Sequence, residues 1–349
     1  MLAAEQSPVL TDPSNLSVET WTAIETAEAQ ARDGFRTLRS DLEDGLGAVN
    51  EGVGNLTRAM ESFRLGKLFT DMVMSRPGIA MADLASAPGD QRNKIIQWVA
   101  ANDMVGGFHQ SVCDQRQPGT GDWFLQGDTY QRWKASAASF LWLHGIPGSG
   151  KTVLCSSIIN DAVSYCSLRV NHHLAFFYFS FSDEARQSTD ACIRSVLRQL
   201  LLQRDTLPAR VVDIWKKSGH TQPALDTWRE MLHAVVEGNR ETFVLVDALD
   251  ECPSLSGERE RLLKFLRSLV EMHLPSLHIL VTSRKVSDVE RVLGQLGHFG
   301  PFGIRNAEVD RDIVKYVEVE IGQDSVMQQW PAGLRHEVER ELGSRANGM

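Results

Sequence analysis

Between residues 140 and 282 the chain alternates two kinds of segment. Short, almost continuous apolar runs predict buried strands: FLWLH (140–144), LAFFYFSF (174–181), TFVLVD (242–247) and LHILVT (277–282). Between them lie longer stretches whose apolar residues recur every three or four positions. TVLCSSIINDAV (152–163), DACIRSVLRQLLLQ (190–203), LDTWREMLHAVV (225–236) and ERERLLKFLRSLVEM (258–272) therefore predict helices. In the second of these, Ile193, Val196, Leu197, Leu200 and Leu201 share one face. Strands apolar on both sides, alternating with amphipathic helices, predict an α/β fold with a parallel sheet covered on both faces.

On either side of this core the pattern changes. Residues 1–18 are polar and hold Pro8 and Pro13, which predicts a disordered leader. Over 19–65 the apolar positions Phe35, Leu38, Leu42, Leu46, Val49, Val53, Leu56, Met60 and Phe63 step by three and four, as in an amphipathic, coiled-coil-like helix. Gly45, Gly47, Gly52 and Gly54 interrupt it, each at a cost of about 1 kcal/mol relative to alanine. Packing on its own protein and self-association through this helix both fit the pattern. Residues 66–115 read as a linker with two Pro-Gly pairs, then a helical approach over 91–112. RQPGTGDWFL (116–125) is a glycine turn running into an aromatic stretch and opens a nucleotide-binding domain expected over 116–300. Residues 301–349, with DRDIVKYVEVEI and GLRHEVEREL, read as the start of a C-terminal helical region that is cut short.

Composition narrows the classes. A chain of 349 residues has room for more than one domain. With 45 acidic against 36 basic residues the net charge is −9, which weighs against a nucleic-acid surface. Five scattered cysteines without a CxxC pair suggest reduced thiols and a cytoplasmic protein. The N-terminus lacks a basic n-region, and no run reaches the ~18 apolar residues of a transmembrane helix, so neither a secretory signal nor a membrane span is expected. His172-His173 lack an acidic or cysteine partner at ligand spacing, and Trp123, Trp133 and Trp142 read as core.

The candidate chemistry begins where the first strand ends. Gly145, Ile146, Pro147, Gly148, Ser149, Gly150, Lys151 and Thr152 fit GxxxxGK[ST], a phosphate-binding loop between strand and helix. Residues without Cβ let backbone N–H groups turn onto phosphate oxygens, and the following helix points its positive end at the same anion. In this reading Lys151 reaches the β- and γ-phosphates, and the Thr152 hydroxyl ligates Mg²⁺. TFVLVDALDEC supplies the second acid: Asp247, at a strand end, is expected to hold Mg²⁺ through water. Asp250 and Glu251 follow, and at least one is placed to orient or deprotonate an attacking water, with Glu251 the longer reach. VTSR ends the fourth strand, so Arg284 sits at the carboxyl edge, where ligands of open α/β sheets bind, and could sense a γ-phosphate.

With RQPGTGDWFL, SFLWLHGIPGSGKTVL, FFYFSFSD, FVLVDALDEC and HILVTSR in this order, residues 90–349 resemble the NACHT-type P-loop NTPases of filamentous fungi. These are STAND-class signal-transducing ATPases related to NOD-like receptors, and the domain is also similar to the nephrocystin-like N-terminal NACHT domain. The resemblance implies a sheet of order 5-1-4-3-2, with the Arg284 strand between those of the glycine loop and Asp247. It maps Gly145–Thr152 onto Walker A, Asp247–Glu251 onto Walker B and Arg284 onto a sensor arginine, and it brings the turn at Gly119, Thr120 and Gly121 near the nucleotide base. It implies a switch in which nucleotide exchange toggles a closed monomer and an open homo-oligomer. In that family an N-terminal effector domain is thereby clustered, often triggering nonself recognition or regulated cell death; here an unknown protein partner is expected through the N-terminal helix. Relative to that family the chain ends before the winged-helix region and the sensing repeats, so a fragment, a truncated gene or an adapter is expected. With no LSGGQ-like signature and no [NT]KxD motif, ATP is favoured and GTP stays open. Three readings follow: a slow ATPase switch, a nucleotide-holding helical adapter without hydrolysis, or an ordinary P-loop enzyme such as a small-molecule kinase.

Overall fold

A computed structural model of the chain describes residues 90–100, 105–218, 223–297, 299–304, 306–324 and 326–345. The leader expected over 1–18, the coiled-coil-like segment over 19–65 and the Pro-Gly linker before Asp90 lie outside the described residues. Where the periodicity predicts one helix over 91–112 there are two, α1 (Asp90–Val99) and α2 (Val105–Asp114). Between them stand Asn102 and Asp103, both weak helix formers. Two short helices, α3 (Asp122–Leu125) and α4 (Asp128–Ala135), follow the glycine turn. Then come β1 (Ser139–His144), α5 (Lys151–Ser167), β2 (His172–Tyr178), α6 (Thr189–Leu202), α7 (Ala209–Ser218), α8 (Leu225–Glu237) and β3 (Glu241–Asp247). The chain continues through α9 (Glu258–Glu271), β4 (Leu277–Ser283), α10 (Ser287–Leu293), β5 (Pro301–Gly303), α11 (Asn306–Gln323) and α12 (Ala332–Arg345).

The five strands make one parallel sheet in the order β2-β3-β4-β1-β5. This is the 5-1-4-3-2 order, with β4 between the strands that end in the glycine loop and in Asp247. β5 pairs with Trp142, Leu143 and His144, so the sheet is completed just beyond residue 300, inside the segment read as helical. The strands are buried because helices cover both faces. Ile158 and Ile159 of α5, Leu200 and Leu201 of α6, Leu232 and Val235 of α8 and Leu262 and Leu266 of α9 all join one core. Ile95 and Val99 of α1 belong to it too, and Trp133 and Trp142 are wholly buried. Each such side chain contributes about 1.5–3 kcal/mol through burial. Trp133 also satisfies its indole N–H on the Ile279 carbonyl, 3.0 Å away.

Two local features position the site. The apolar pattern carries β2 to residue 181, but the strand stops at Tyr178. The Phe179 N–H still bonds the Asp247 carbonyl at 3.1 Å; past it the chain turns away and leaves the Phe181 ring exposed. Helix ends also differ. Ser188 caps α6 by accepting from the Ala191 N–H, whereas Gly150 begins α5 with no side-chain cap and no acid in the first turn. The positive end of α5 is thus left to a ligand at the carboxyl edge of the sheet.

Candidate functional site

The loop 145–150 turns sharply because its glycines permit it. Gly148 and Gly150 have φ of 76° and 73°, where side-chained residues are strained. At Gly145 an added Cβ would lie 2.5 Å from the Ser149 hydroxyl, so a side chain there would force the Ser149 hydroxyl to move. Ile146 and Pro147 are exposed at the rim, while Ser149 is buried. The Lys151 ammonium donates to the carbonyls of Ile146 (2.7 Å) and Gly145 (3.1 Å). Burial pulls its pKa below the ordinary lysine value, against the attraction of Asp250 and Asp247.

Asp247 ends β3 almost wholly buried. Desolvation raises its pKa, and hydrogen bonds from Thr282, Thr152 and Cys155, with the Lys151 charge, oppose the rise. The Thr282 hydroxyl donates to Oδ1 at 2.6 Å while accepting the Ala248 N–H at 3.0 Å. Ala248 itself is left-handed, φ 53°, a conformation that costs an L-residue about 1–2 kcal/mol. It swings Leu249–Glu251 into a tight turn over the sheet edge. Asp250 then faces Arg284: Oδ1 accepts the Arg284 backbone N–H and Oδ2 its Nε–H, both at 2.9 Å. Asp250 is nearly buried, 6% exposed, and the guanidinium is 41% exposed, so the acid presents the arginine outwards. Glu251 Oε2 accepts the Phe181 N–H at 3.2 Å, and burial raises its pKa.

The structure therefore brings Lys151, Thr152, Asp247, Asp250, Glu251 and Arg284 to one edge. Thr120 bonds within its own turn. The Thr120 N–H and hydroxyl both donate to the Gln117 carbonyl, at 3.1 and 2.7 Å, and its own carbonyl accepts from Arg116. The neighbouring Gly121 N–H and Trp123 indole N–H both donate to Asp312 of α11, at 2.8 and 3.0 Å. Gly121 packs beside Leu154 of α5, where an added Cβ would stand 3.0 Å from Leu154 Cδ1.

Thr282, the Phe181 amide and Arg259 escape sequence reasoning. Arg259 donates to the Asp250 carbonyl at 2.7 Å. Only Thr282 leaves a signal, a polar residue near the end of an apolar strand. A second polar cluster lies at the amino edge. Ser139 Oγ is 2.7 Å from His278 Nδ1, and His278 Nε2 bonds Glu241. The residue types are those of a hydrolytic triad, but Ser139 and His278 are 3% and 1% exposed, so no substrate reaches them. They strap the starts of β1, β4 and β3 together.

A parallel sheet in this order, with GxxxxGK[ST] after its first strand and an acid ending the third, defines a P-loop nucleoside-triphosphatase domain. Residues 119–284 match the family model described as Nephrocystin 3, N-terminal. Over 235 residues the chain is 24% identical to the vegetative incompatibility protein HET-E-1 of Podospora anserina, covering 65% of this chain and 17% of that protein. Together with the motif set, those two matches support a NACHT-type nucleotide-binding domain. Among solved structures, the chain is similar to Drosophila ORC bound to DNA (TM-score 0.39, 14% identity, 83% of this chain and 64% of that one). It is also similar to a DNA replication initiation factor (TM-score 0.36, 15% identity, 70% of this chain and 61% of that one). The chain spans about a sixth of HET-E-1 and less than two thirds of either solved structure.

Proposed function

We propose that this domain binds ATP with Mg²⁺, hydrolyses it slowly, and acts as a STAND-type switch whose nucleotide state sets self-association. The observation that carries the reading is the convergence of one ammonium, one buried carboxylate–hydroxyl pair, one outward guanidinium and one half-buried glutamate at an uncapped helix start. The residues fit the metal. Thr152 and Asp247 already share a hydrogen bond, and both offer hard oxygens. Among the described residues no group of three His, Cys, Asp or Glu could hold an ion, so phosphate and water oxygens would complete the shell. When bound, Mg²⁺ neutralises charge on the phosphate oxygens.

The protein's own steps follow. Lys151 exchanges its two loop carbonyls for phosphate oxygens, which offer it full negative charge. Asp250 holds Arg284 so that its remaining N–H groups face a γ-phosphate. Glu251 orients a water and takes its proton as the water oxygen bonds phosphorus and the bridging P–O bond breaks; ADP leaves as the anion. Expected turnover lies far below the 1–10³ s⁻¹ of ordinary enzymes.

We place the nucleotide domain over 116–303, with β5 included. HET-E-1 carries vegetative incompatibility in its name, and we extend nonself recognition to this chain as a proposal. A protein partner at the N-terminal helix, a base-facing role for Thr120 and a cytoplasmic location belong to the same reading. The location is supported by five free cysteines, and among the described residues no helix is long and apolar enough to cross a membrane. A second reading, nucleotide holding without hydrolysis, draws on the commitment of Glu251 to the Phe181 amide. Glu251→Gln separates the two. Hydrolysis predicts turnover lowered by about 100-fold, with ATP retained and the assembled state favoured on size-exclusion chromatography. Equal phosphate release by wild type and variant would leave only the holding module.

A further inference from the structure

His109 lies on α2, outside every motif, yet its buried imidazole joins three elements. Nδ1 stands 2.8 Å from the Tyr178 hydroxyl at the end of β2, and Nε2 stands 3.1 Å from Asn160 Oδ1 on α5. A carboxamide oxygen only accepts, so Nε2 carries the proton and Nδ1 accepts from Tyr178. Asn160 Nδ2 donates in turn to Cys113 Sγ, 3.3 Å away and back on α2. Around this relay pack Phe176, 5.0 Å from the imidazole, and Phe108, edge-on to Tyr178 at 5.1 Å. Burial holds the imidazole below its ordinary pKa, and hence neutral near pH 7.

Both elements tied by the imidazole end in the site. Tyr178 faces Asp247 across the β2–β3 ladder, and three residues further on the Phe181 N–H holds Glu251. Helix α5 starts with Lys151 and Thr152, and its Cys155 bonds Asp247. The loop after β2 is also tied within itself, by the Ser180 N–H on the Arg186 carbonyl at 3.2 Å and by Gln187 Nε2 on the Phe181 carbonyl at 2.8 Å, while the Phe181 side chain stays 60% exposed.

We propose that His109 is a positioning residue for the nucleotide site. It fixes the end of β2, and with it the Phe181 amide that holds Glu251, against the helix that carries Lys151 and Thr152. It therefore governs turnover rather than nucleotide affinity. The turnover arm rests on the hydrolytic reading above.

His109→Phe keeps a ring of similar size and removes the bonds to Tyr178 and Asn160 together with the longer contact to Cys113 Sγ at 3.5 Å, while His109→Gln keeps one donor and one acceptor. For His109→Phe we expect kcat about tenfold lower at unchanged KM for ATP·Mg²⁺, and amide exchange over 179–181 about tenfold faster. His109→Gln should restore most of both. Tyr178→Phe, which deletes one oxygen, should reproduce the loss, and the double variant with His109→Phe should add little to it. Should His109→Phe fail to fold, Tyr178→Phe carries the same comparison. Equal kcat in Phe and Gln variants, a change confined to KM, or unaltered exchange over 179–181 overturns the proposal. Absence of turnover in the wild type removes the hydrolytic reading instead, and the exchange measurement then decides the positioning claim alone.

Discussion

At the carboxyl edge of the sheet, the buried Asp247 and the nearly buried Asp250 meet the more open Lys151, Glu251 and Arg284; at the amino edge, the buried Ser139 and His278 meet Glu241, whose side chain is 33% exposed. Both clusters hold the residue types of catalysis. They differ in what their polar groups do. At the amino edge His278 bonds both Ser139 and Glu241, and Ser139 and His278 are buried among the strand starts. At the carboxyl edge the bonds are exchangeable: an ammonium on loop carbonyls, a glutamate on an exposed loop's amide, a guanidinium 41% exposed. Exchangeable partners and access, rather than residue type, separate a site from a strap.

The largest effect that sharpens this contrast falls on Lys151. Its ammonium bonds only groups of its own loop, the Gly145 and Ile146 carbonyls and the Ser149 hydroxyl, so Lys151→Ala should leave the melting temperature nearly unchanged. Nucleotide affinity should fall at least about 100-fold, ~2.7 kcal/mol. Calorimetric titration with ATP·Mg²⁺ checks it, and undiminished affinity would dissolve the proposed site. The reverse is expected at the other edge. His278→Ala strips Ser139 and Glu241 of their partner and leaves a gap beside Phe243, whose ring stacks on the imidazole at 4.6 Å. We expect about 2–4 kcal/mol of lost stability in urea unfolding, with ATP affinity of the folded protein changed by less than about threefold. A His278→Ala protein that folds as well as wild type but loses nucleotide would break the comparison.

The carboxyl edge was the more legible in sequence, for a physical reason. Its glycine loop and the DALDEC turn are contiguous, and each residue's chemistry dictates its type: no Cβ at Gly145, a cation at Lys151, an acid at Asp247. What completes the edge is through-space. The Phe181 amide is a backbone donor and has no residue signature, and the Asp250–Arg284 pair depends on β3 and β4 being neighbours. The amino-edge strap is illegible for the same reason, since Ser139, Glu241 and His278 are single polar residues at three strand starts until parallel register aligns them. Among the elements, the four long apolar strands were readable and β5 was not: Pro301–Gly303 is three residues long, none of them buried. Helices α4 and α7 were missed because each buries only two side chains, Tyr130 with Trp133 and Val211 with Ile214, too few to set a period.

The smallest expected effect again contrasts the two edges, through histidines that begin and end strands. His173, the second residue of β2, is buried, and burial lowers its pKa to about 4. His144, at the end of β1, is lowered in the same direction by burial and then by the Lys285 charge, but it is more open. In the unfolded chain both titrate near 6.5. Between the folded and unfolded values the unfolded chain binds the more protons, so stability rises with pH there and is lost as pH falls. For His173 the window runs from about 6.5 down to about 4, below which the loss is complete. Other groups titrate in that range, carboxylates above all, so the informative quantity is a difference. Urea unfolding of wild type and His173→Leu between pH 7 and 4.5 should show the wild type losing more stability, on the order of 1 kcal/mol per pH unit. His144→Leu, compared in the same way, should reduce the pH slope by less, because a partly solvated imidazole accepts its proton at smaller cost. Parallel slopes for wild type and His173→Leu would mean that the start of β2 hydrates or protonates freely, and the amino edge would then lose its claim to be the closed one.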